Sequence, residues 1–480
     1  MPALPSFFPV SRNVDSVVHF EIIESIAKNN VLEYSQTREL DVYLYPTGMR
    51  LIAAFVTRLL NIDPIQIIYP FIVIITVLTA GIVYGIVVES NISNKFFGLI
   101  PACITLSFFL TSYATMVMGW WTMVFGIYLV LAFMWLLLDY IKMPAFPQLL
   151  PLIIIEVAII FSYNFWALIP ALTLFITLLT NSNISKKAKG IQFAIFTLIV
   201  GGLTINFINI ALFSAVNKTS TGPSMSFLPF GFFNWRENPE KYPMLINSIN
   251  NVLTVYFTIG IIGGIKYIRN KKYDILMAFF IASFLQTLTL GIAALYFGFD
   301  LYFYAKSYNL LMYPAAIFLW MILKDILSRW NYVYKVKNSP GFKPMFLIIL
   351  STLVILSSYT MILGIKSTGH QVLAITPDQY DIALWTRDNL KYGNLTSLAE
   401  WPQGLWFTEI SKRNFTSADD RYGVENADVM KLKFNKWELT SRNGDMIAIL
   451  DISKIDTNIE VYDVIYRKGN AVILRNNTII

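Results

Sequence analysis

Of 480 residues, one is cysteine, two are histidine and only 14% are charged. Cys103 lies in an apolar run, and His19 and His370 are far apart in the chain. Disulfide scaffolds, zinc ribbons, haem sites and iron–sulfur clusters each need several such ligands, so all are excluded and no metal or cofactor is expected. The shortage of charge is equally informative. Soluble domains carry roughly 25% charged and about 45–50% apolar residues; here 56% are hydrophobic, an excess that calls for a solvent other than water. The net charge of +7 would suit nucleic acid, but the basic residues are placed as topological signals, so no nucleic-acid partner is expected.

Apolar runs long enough to approach the ~20 residues of a membrane helix occupy 65–88, 96–113, 119–141, 148–164, 166–182, 190–214, 249–269, 275–298, 307–327 and 345–366. This predicts a polytopic α-helical membrane protein with about ten spans. Alternate connections, around Lys95, Lys142, Lys186 to Lys189, Lys266 to Lys272 and Lys324 to Lys343, hold 14 Lys and Arg, against Lys218, Arg236, Lys241 and Lys306 on the other side. The positive-inside bias puts the first set in the cytoplasm. Residues 1–64 then form an outward first loop, 65–366 the transmembrane domain and 367–480 an extracytoplasmic part of a multi-pass cell-membrane protein. An outward start with no span before it suggests that an N-terminal span is missing from the sequence.

Residues 367–480 change character, with 13 basic and 15 acidic residues, close to the soluble norm. Thr376-Pro377-Asp378-Gln379 is a capping box with proline at the first helical position, predicting a helix through Tyr380, Ala383, Leu384 and Leu390. Runs at Met446 to Leu450, Ile459 to Tyr466 and Ala471 to Leu474 read as strands between Gly and Asn turns. The expectation is a small C-terminal α/β domain.

The outward first loop holds the most unusual chemistry. In the stretch Val14 to Ala27, Val18, Ile22, Ile23 and Ile26 share one helical face, while Asp15 and His19, four apart, share another. Such a short amphipathic helix suits the membrane surface. Spacing alone leaves a plainer option open, with Asp15 capping the helix and His19 solvated. A Tyr43-Leu44-Tyr45-Pro46-Thr47-Gly48-Met49-Arg50-Leu51 element follows, then an apolar stretch to Leu60 and Asn61-Ile62-Asp63-Pro64, too short to span and expected to pack beside the first helix or re-enter.

An acid followed four later by His, a Tyr-Pro-x-Gly element and a semi-apolar helix ending near Asp-Pro together resemble the first outer loop of GT-C membrane glycosyltransferases, the prokaryotic and archaeal branch above all. Trp385 in a helix, a strand, and then the Gly404 to Arg413 stretch are similar to the soluble domain many such enzymes carry outside the membrane. The resemblance implies transfer of a sugar, with inversion at the anomeric carbon, from a polyprenyl-phosphate carrier to a glycan, lipid or protein acceptor on the outer face. A metal-independent version is expected of this chain, because relatives that hold a divalent ion use an acidic pair in the next outer loop, whereas Thr111 to Gly119 here offers Met116 and Met118 and no acid. Relatives often carry Arg before a late span, where this chain has Lys306, which keeps the charge without the bidentate fork.

Sugar transfer from a lipid phosphate needs a base for the acceptor hydroxyl and a cation for charge growing on the departing phosphate. The resemblance makes Asp15 the base, with His19 orienting it or contacting the acceptor. Lys306, with Arg236 or Lys241, would meet the phosphate, though a lysine at a span end also snorkels without any such role. Tyr45, Tyr163 and Asn164 are candidates to line the substrate cavity. Glu156 lies inside a span, a functional candidate by position that would serve equally as a protonated partner of a neighbouring helix. Trp120, Trp121 and Trp166 read as an interfacial aromatic belt rather than a sugar platform. Asn217, Asn394, Asn414 and Asn476 head N-x-S/T sequons on the outward side. The competing function is a transporter or a flippase for lipid-linked glycan, which would need midplane ionisable groups and usually inverted repeats; Glu156 is the obvious midplane acid and no repeat is visible.

Overall fold

The computed structural model describes residues 14–29, 47–107, 121–217, 258–268, 274–297 and 301–333, and then 376–390, 395–399, 406–407, 410–412, 416–417, 430–433, 436–439, 446–454 and 462–476, with 94, 96 and 183 excepted. The predicted span at 345–366 lies outside the described residues. Two helices precede the long apolar ones, α1 (Val14–Asn29) and α2 (Gly48–Leu60). The bundle follows as α3 (Pro64–Glu89), α4 (Leu99–Ser107), α5 (Trp121–Lys142), α6 (Phe146–Tyr163), α7 (Leu168–Thr180), α8 (Lys186–Asn217), α9 (Thr258–Ile268), α10 (Ile275–Phe297) and α11 (Leu301–Val333). Among the described residues, five stretches are long and apolar enough to cross a membrane: Gln66–Glu89, Trp121–Lys142, Phe146–Trp166, Lys186–Ile205 and Ile275–Ala293. The chain is a mostly helical membrane protein.

These helices carry few polar side chains, and several of those satisfy themselves locally. Hydroxyls of Thr76, Thr79, Thr173, Thr204 and Thr287 each donate to the carbonyl four residues back, which keeps a polar group tolerable where no water is available. Helix α5 is the hub, packed against α3 and α6, while α10 joins α7 and α11. The break between α6 and α7 is a single 3-10 turn, Asn164–Trp166. Its Phe165 carbonyl accepts from Gln286 Nε2 of α10 at 2.9 Å, so a buried helix end is not left unpaired.

Polar contacts sort the bundle end for end. Lys142 at the close of α5 meets Glu89 at the close of α3 at 3.5 Å. Lys324 Nζ donates to the carbonyl of Ile92 at 2.7 Å, and Lys266 lies 3.9 Å from Asp325. Three of the lysines assigned to one side from the sequence therefore share one end. The start of α3, the start of α5 and the close of α6 define the other.

Beyond the bundle, Thr376 caps helix α12 (Pro377–Asn389) as the sequence predicts. Gln379 N donates to Thr376 Oγ1 at 3.3 Å, and Thr376 N to Gln379 Oε1 at 2.9 Å. The strands are β1 (Leu395–Ala399), β2 (Thr416–Ser417), β3 (Met430–Lys433), β4 (Lys436–Leu439), β5 (Met446–Ile449), β6 (Tyr462–Lys468) and β7 (Ala471–Asn476). Five form one mixed sheet in the order β2-β1-β5-β7-β6, with β1 parallel to β2 and β5 and the rest antiparallel; β3 and β4 pair separately. Helix α12 lies on β6 and β7, with Trp385 stacked on Tyr466 at 4.8 Å between centroids. The two-residue turn between β6 and β7 needs a positive φ, which Gly469 supplies at 54°.

Candidate active site at one end of the helix bundle

Helix α2 pairs with α1 and also contacts α3, α5 and α6, as a helix too short to span was expected to do. Its two faces are inverted relative to a soluble helix. Met49, Arg50, Ala53, Ala54 and Thr57 are buried, while Phe55 and Leu59 are 64% and 69% exposed. Small residues let α2 lie close to its neighbours. Gly48 marks the nearest approach, since a Cβ there would sit 2.3 Å from Ser162 Oγ at the close of α6. The helix ends at Asn61, in the left-handed conformation that Asn tolerates.

Helix α1 departs from the expected surface helix. Phe20, Ile22, Ile23 and Ala27 are buried as an apolar face would be, yet His19 is only 1% exposed and Glu24 is buried as well. The reason is that α1 has cover on two sides. On the bundle side His19 stacks on Trp121, the first residue of α5, with ring centroids 5.5 Å apart and 27° between planes. Arg50 Nε donates to His19 Nδ1 at 2.9 Å. On the other side Phe20 packs against Trp406 at 5.7 Å, and Lys412 ion-pairs with Glu24 while lying 5.7 Å over the Phe20 ring. Glu24 also pairs with Lys28, and Arg58 of α2 donates to the Ala27 carbonyl. Nearby, Arg387 of α12 stands 3.9 Å from Asp63, and burial together with Asp63 pushes the Tyr380 phenol up.

The tryptophans correct the aromatic-belt expectation. Trp121 and Trp166 are buried inside protein rather than placed against lipid. Trp121 is covered by His19. Trp166 fills the space over Gly126 of α5, where a Cβ would lie 2.9 Å from Trp166 Cδ1 and 2.7 Å from Tyr163 Cβ. Trp120 lies outside the described residues.

The remaining candidates fall as follows. Asp15 occupies the first turn of α1, one turn before His19. Lys306 occupies the first turns of α11. Asn309, three residues on, meets Met123 Sδ of α5 at 3.7 Å, and Met123 is two residues from Trp121. The start of α11 thus reaches the same end of the bundle as His19. Tyr163 is buried, tilted against Trp166 at 5.6 Å, and Asn164 opens the 3-10 turn beside it. Tyr45, Arg236 and Lys241 lie outside the described residues. Glu156 is 2% exposed in the middle of α6, and its Oε2 has no hydrogen-bond partner among the described residues. Arg50 is the residue that sequence reasoning left without a role. Arg50 in the first turn, on the same face as Ala53, Ala54 and Thr57 and apart from Arg58 in the last turn, was the available signal, because burying a guanidinium demands partners.

No protein-family model matches the chain, and no curated protein matches it. Solved structures do. The chain is similar to ArnT from Cupriavidus metallidurans in the apo state, with a TM-score of 0.52, 13% identity, and coverage of 98% of this chain and 96% of that one. ArnT bound to undecaprenyl phosphate gives 0.51 at 11% identity, covering 99% and 97%. Both are GT-C proteins. The chain has the GT-C fold. A third GT-C structure, the archaeal oligosaccharyltransferase AglB from Archaeoglobus fulgidus in complex with an inhibitory peptide and a dolichol-phosphate, matches with a TM-score of 0.51 and 10% identity. That match covers 85% of this chain, which spans only 60% of AglB's length. Within this GT-C fold, the buried polar groups of α1 and α2 gather at one end of the bundle, under the Trp406 and Lys412 stretch.

Proposed function

We propose that the protein is a membrane-embedded glycosyltransferase that moves a sugar from a polyprenyl-phosphate carrier to a lipid, glycan or protein acceptor on the outer face of the membrane. The observation that carries this reading is the gathering of α1, with Asp15 in its first turn, and the Lys306 turn of α11 at one end of a GT-C bundle. A carboxylate and a cation are what the reaction asks for. Complexes of ArnT with undecaprenyl phosphate and of AglB with dolichol-phosphate make a polyprenyl phosphate the natural class of donor.

In this mechanism Asp15 takes the proton of the acceptor hydroxyl as that oxygen attacks the anomeric carbon, and the carrier phosphate leaves from the opposite face, inverting the configuration. Lys306, joined by Arg236 or Lys241, meets the charge that grows on the phosphate. Tyr45, Tyr163 and Asn164 shape the sugar cavity. The reaction needs no metal. The end of the bundle bearing α1 faces outward, residues 367–480 form an extracytoplasmic domain, and the lysine-rich end faces the cytoplasm.

The test is transfer of radiolabelled sugar from a polyprenyl-phosphate donor in proteoliposomes. Asp15→Asn should lower kcat by on the order of a hundredfold to ten-thousandfold, the usual contribution of a general base. Undiminished transfer would reject Asp15 as the base. Movement of the intact carrier across the bilayer, with no sugar transferred, would identify a flippase instead.

A further inference from the structure

The histidine of α1 is held by an unusual neighbour. A guanidinium carries only donors, so Arg50 Nε at 2.9 Å from His19 Nδ1 requires a lone pair on that ring nitrogen. The imidazole proton is therefore on Nε2. We infer that Arg50 is a positioning residue that locks His19 as the neutral Nε2–H tautomer, so that the imidazole offers a single N–H donor and no positive charge.

The surroundings favour the same state. Protonating Nδ1 would set N–H against N–H and cation against cation. Of the elements packed on α1 here, α5 presents Trp121, which has no charge, and α2 presents Arg50 itself, with Arg58 two turns on against the Ala27 carbonyl. The C-terminal stretch brings Lys412, which is engaged by Glu24. Helix α3 is preceded by Asp63, which faces Arg387, and its only charged residue is Glu89 at the far end. On α1 the acids are Asp15, Glu21 and Glu24. The Trp121 face would welcome an imidazolium, but the guanidinium contacts the ring nitrogen directly and decides the outcome. The stack contributes orientation, since with Trp121 on its face the ring has one plane to lie in.

The use of that donor rests on the glycosyl-transfer reading. A neutral N–H can orient the carboxylate of Asp15, a turn earlier, or bind an acceptor oxygen. An imidazolium in its place would draw the carboxylate toward its ionised form and weaken it as a base. Arg50 thus keeps the base strong through His19 without touching the sugar.

With only two histidines in the chain, His370→Gln leaves His19 alone for nitrogen-15 histidine NMR of the full-length protein in nanodiscs. At about pH 5.5, roughly one unit below an ordinary imidazole, the protein should show a protonated Nε2 and an unprotonated Nδ1. Arg50→Gln, which keeps an N–H donor, should show the same; Arg50→Met should show mostly imidazolium. Imidazolium or an Nδ1–H tautomer with Arg50 present would overturn the inference, as would an unchanged spectrum in Arg50→Met. If Arg50→Met does not fold, the spectra of the parent and of Arg50→Gln still decide. These spectra involve no sugar substrate, so they stand or fall apart from the proposed activity. In the transfer assay, Arg50→Met should lower kcat on the order of tenfold to a hundredfold with KM nearly unchanged, as for a misplaced group, and Arg50→Gln should recover most of it. A raised KM with normal kcat would make Arg50 a ligand-binding group instead.

Discussion

Gly48 stands where a side chain has no room. A Cβ would lie 2.3 Å from Ser162 Oγ and 3.2 Å from the Phe161 carbonyl oxygen, so Gly48→Ala must push α2 off α6, carrying Arg50 two residues along. The expected cost is about 1–3 kcal/mol, as for other overpacked sites, together with a loss of transfer. In a Ser162→Ala background part of both losses should return, because the nearest atom is gone while the carbonyl remains. Thermal unfolding and transfer rates of the four proteins would measure this. Equal losses in both backgrounds would show that the close approach is not the cause. Gly469 makes a useful contrast: it combines φ 54° with a Cβ position 2.0 Å from Asp378 Oδ2. Gly469→Ala should cost roughly 1–3 kcal/mol through backbone strain and loosen α12 from the β6–β7 turn, leaving the α2–α6 contact intact.

At the scale of elements, α2 turns Arg50 inward beside Met49, Ala53, Ala54 and Thr57, and its large apolar Phe55 and Leu59 outward, the reverse of a helix in water. This arrangement fits a helix whose outer face meets lipid, which holds Arg50 at a fixed depth. Because Cys103 is the only cysteine, a spin label placed by Phe55→Cys in a Cys103→Ala chain should be accessible to dissolved oxygen and shielded from a water-soluble relaxation agent. The opposite accessibility would put this face in water. The helix was legible in the sequence from its apolar run, and so were α12, from its local capping box, and β5 to β7, from their short runs between Gly and Asn turns. The pairing of His19 with Arg50 was not, because 31 residues separate them and nothing in the period of either helix says which faces meet. The misreading of Trp121 and Trp166 has a related cause: hydropathy measures removal from water and does not distinguish lipid from protein as the new surroundings.

For the molecule as a whole, the consequence lies in what covers α1. Trp406 packs on Phe20, Lys412 pairs with Glu24, and Arg387 faces Asp63, so residues from the C-terminal third cover the helix that carries the candidate site. A domain that only recruited partners would leave α1 indifferent to it. Lys412 is partly exposed and Lys28 still pairs with Glu24 in its absence, so Lys412→Ala should cost about 1 kcal/mol or less. Trp406 is fully buried, and Trp406→Ala should cost about 3–5 kcal/mol. Both changes should speed amide exchange across α1, Trp406→Ala the more, while the long bundle helices stay protected. Transfer should fall in the same order as α1 protection. If exchange in α1 stays at the parent level while transfer falls, the C-terminal part acts on the substrate directly rather than through this helix. If both stay unchanged, the contacts at Phe20 and Glu24 do not support the site.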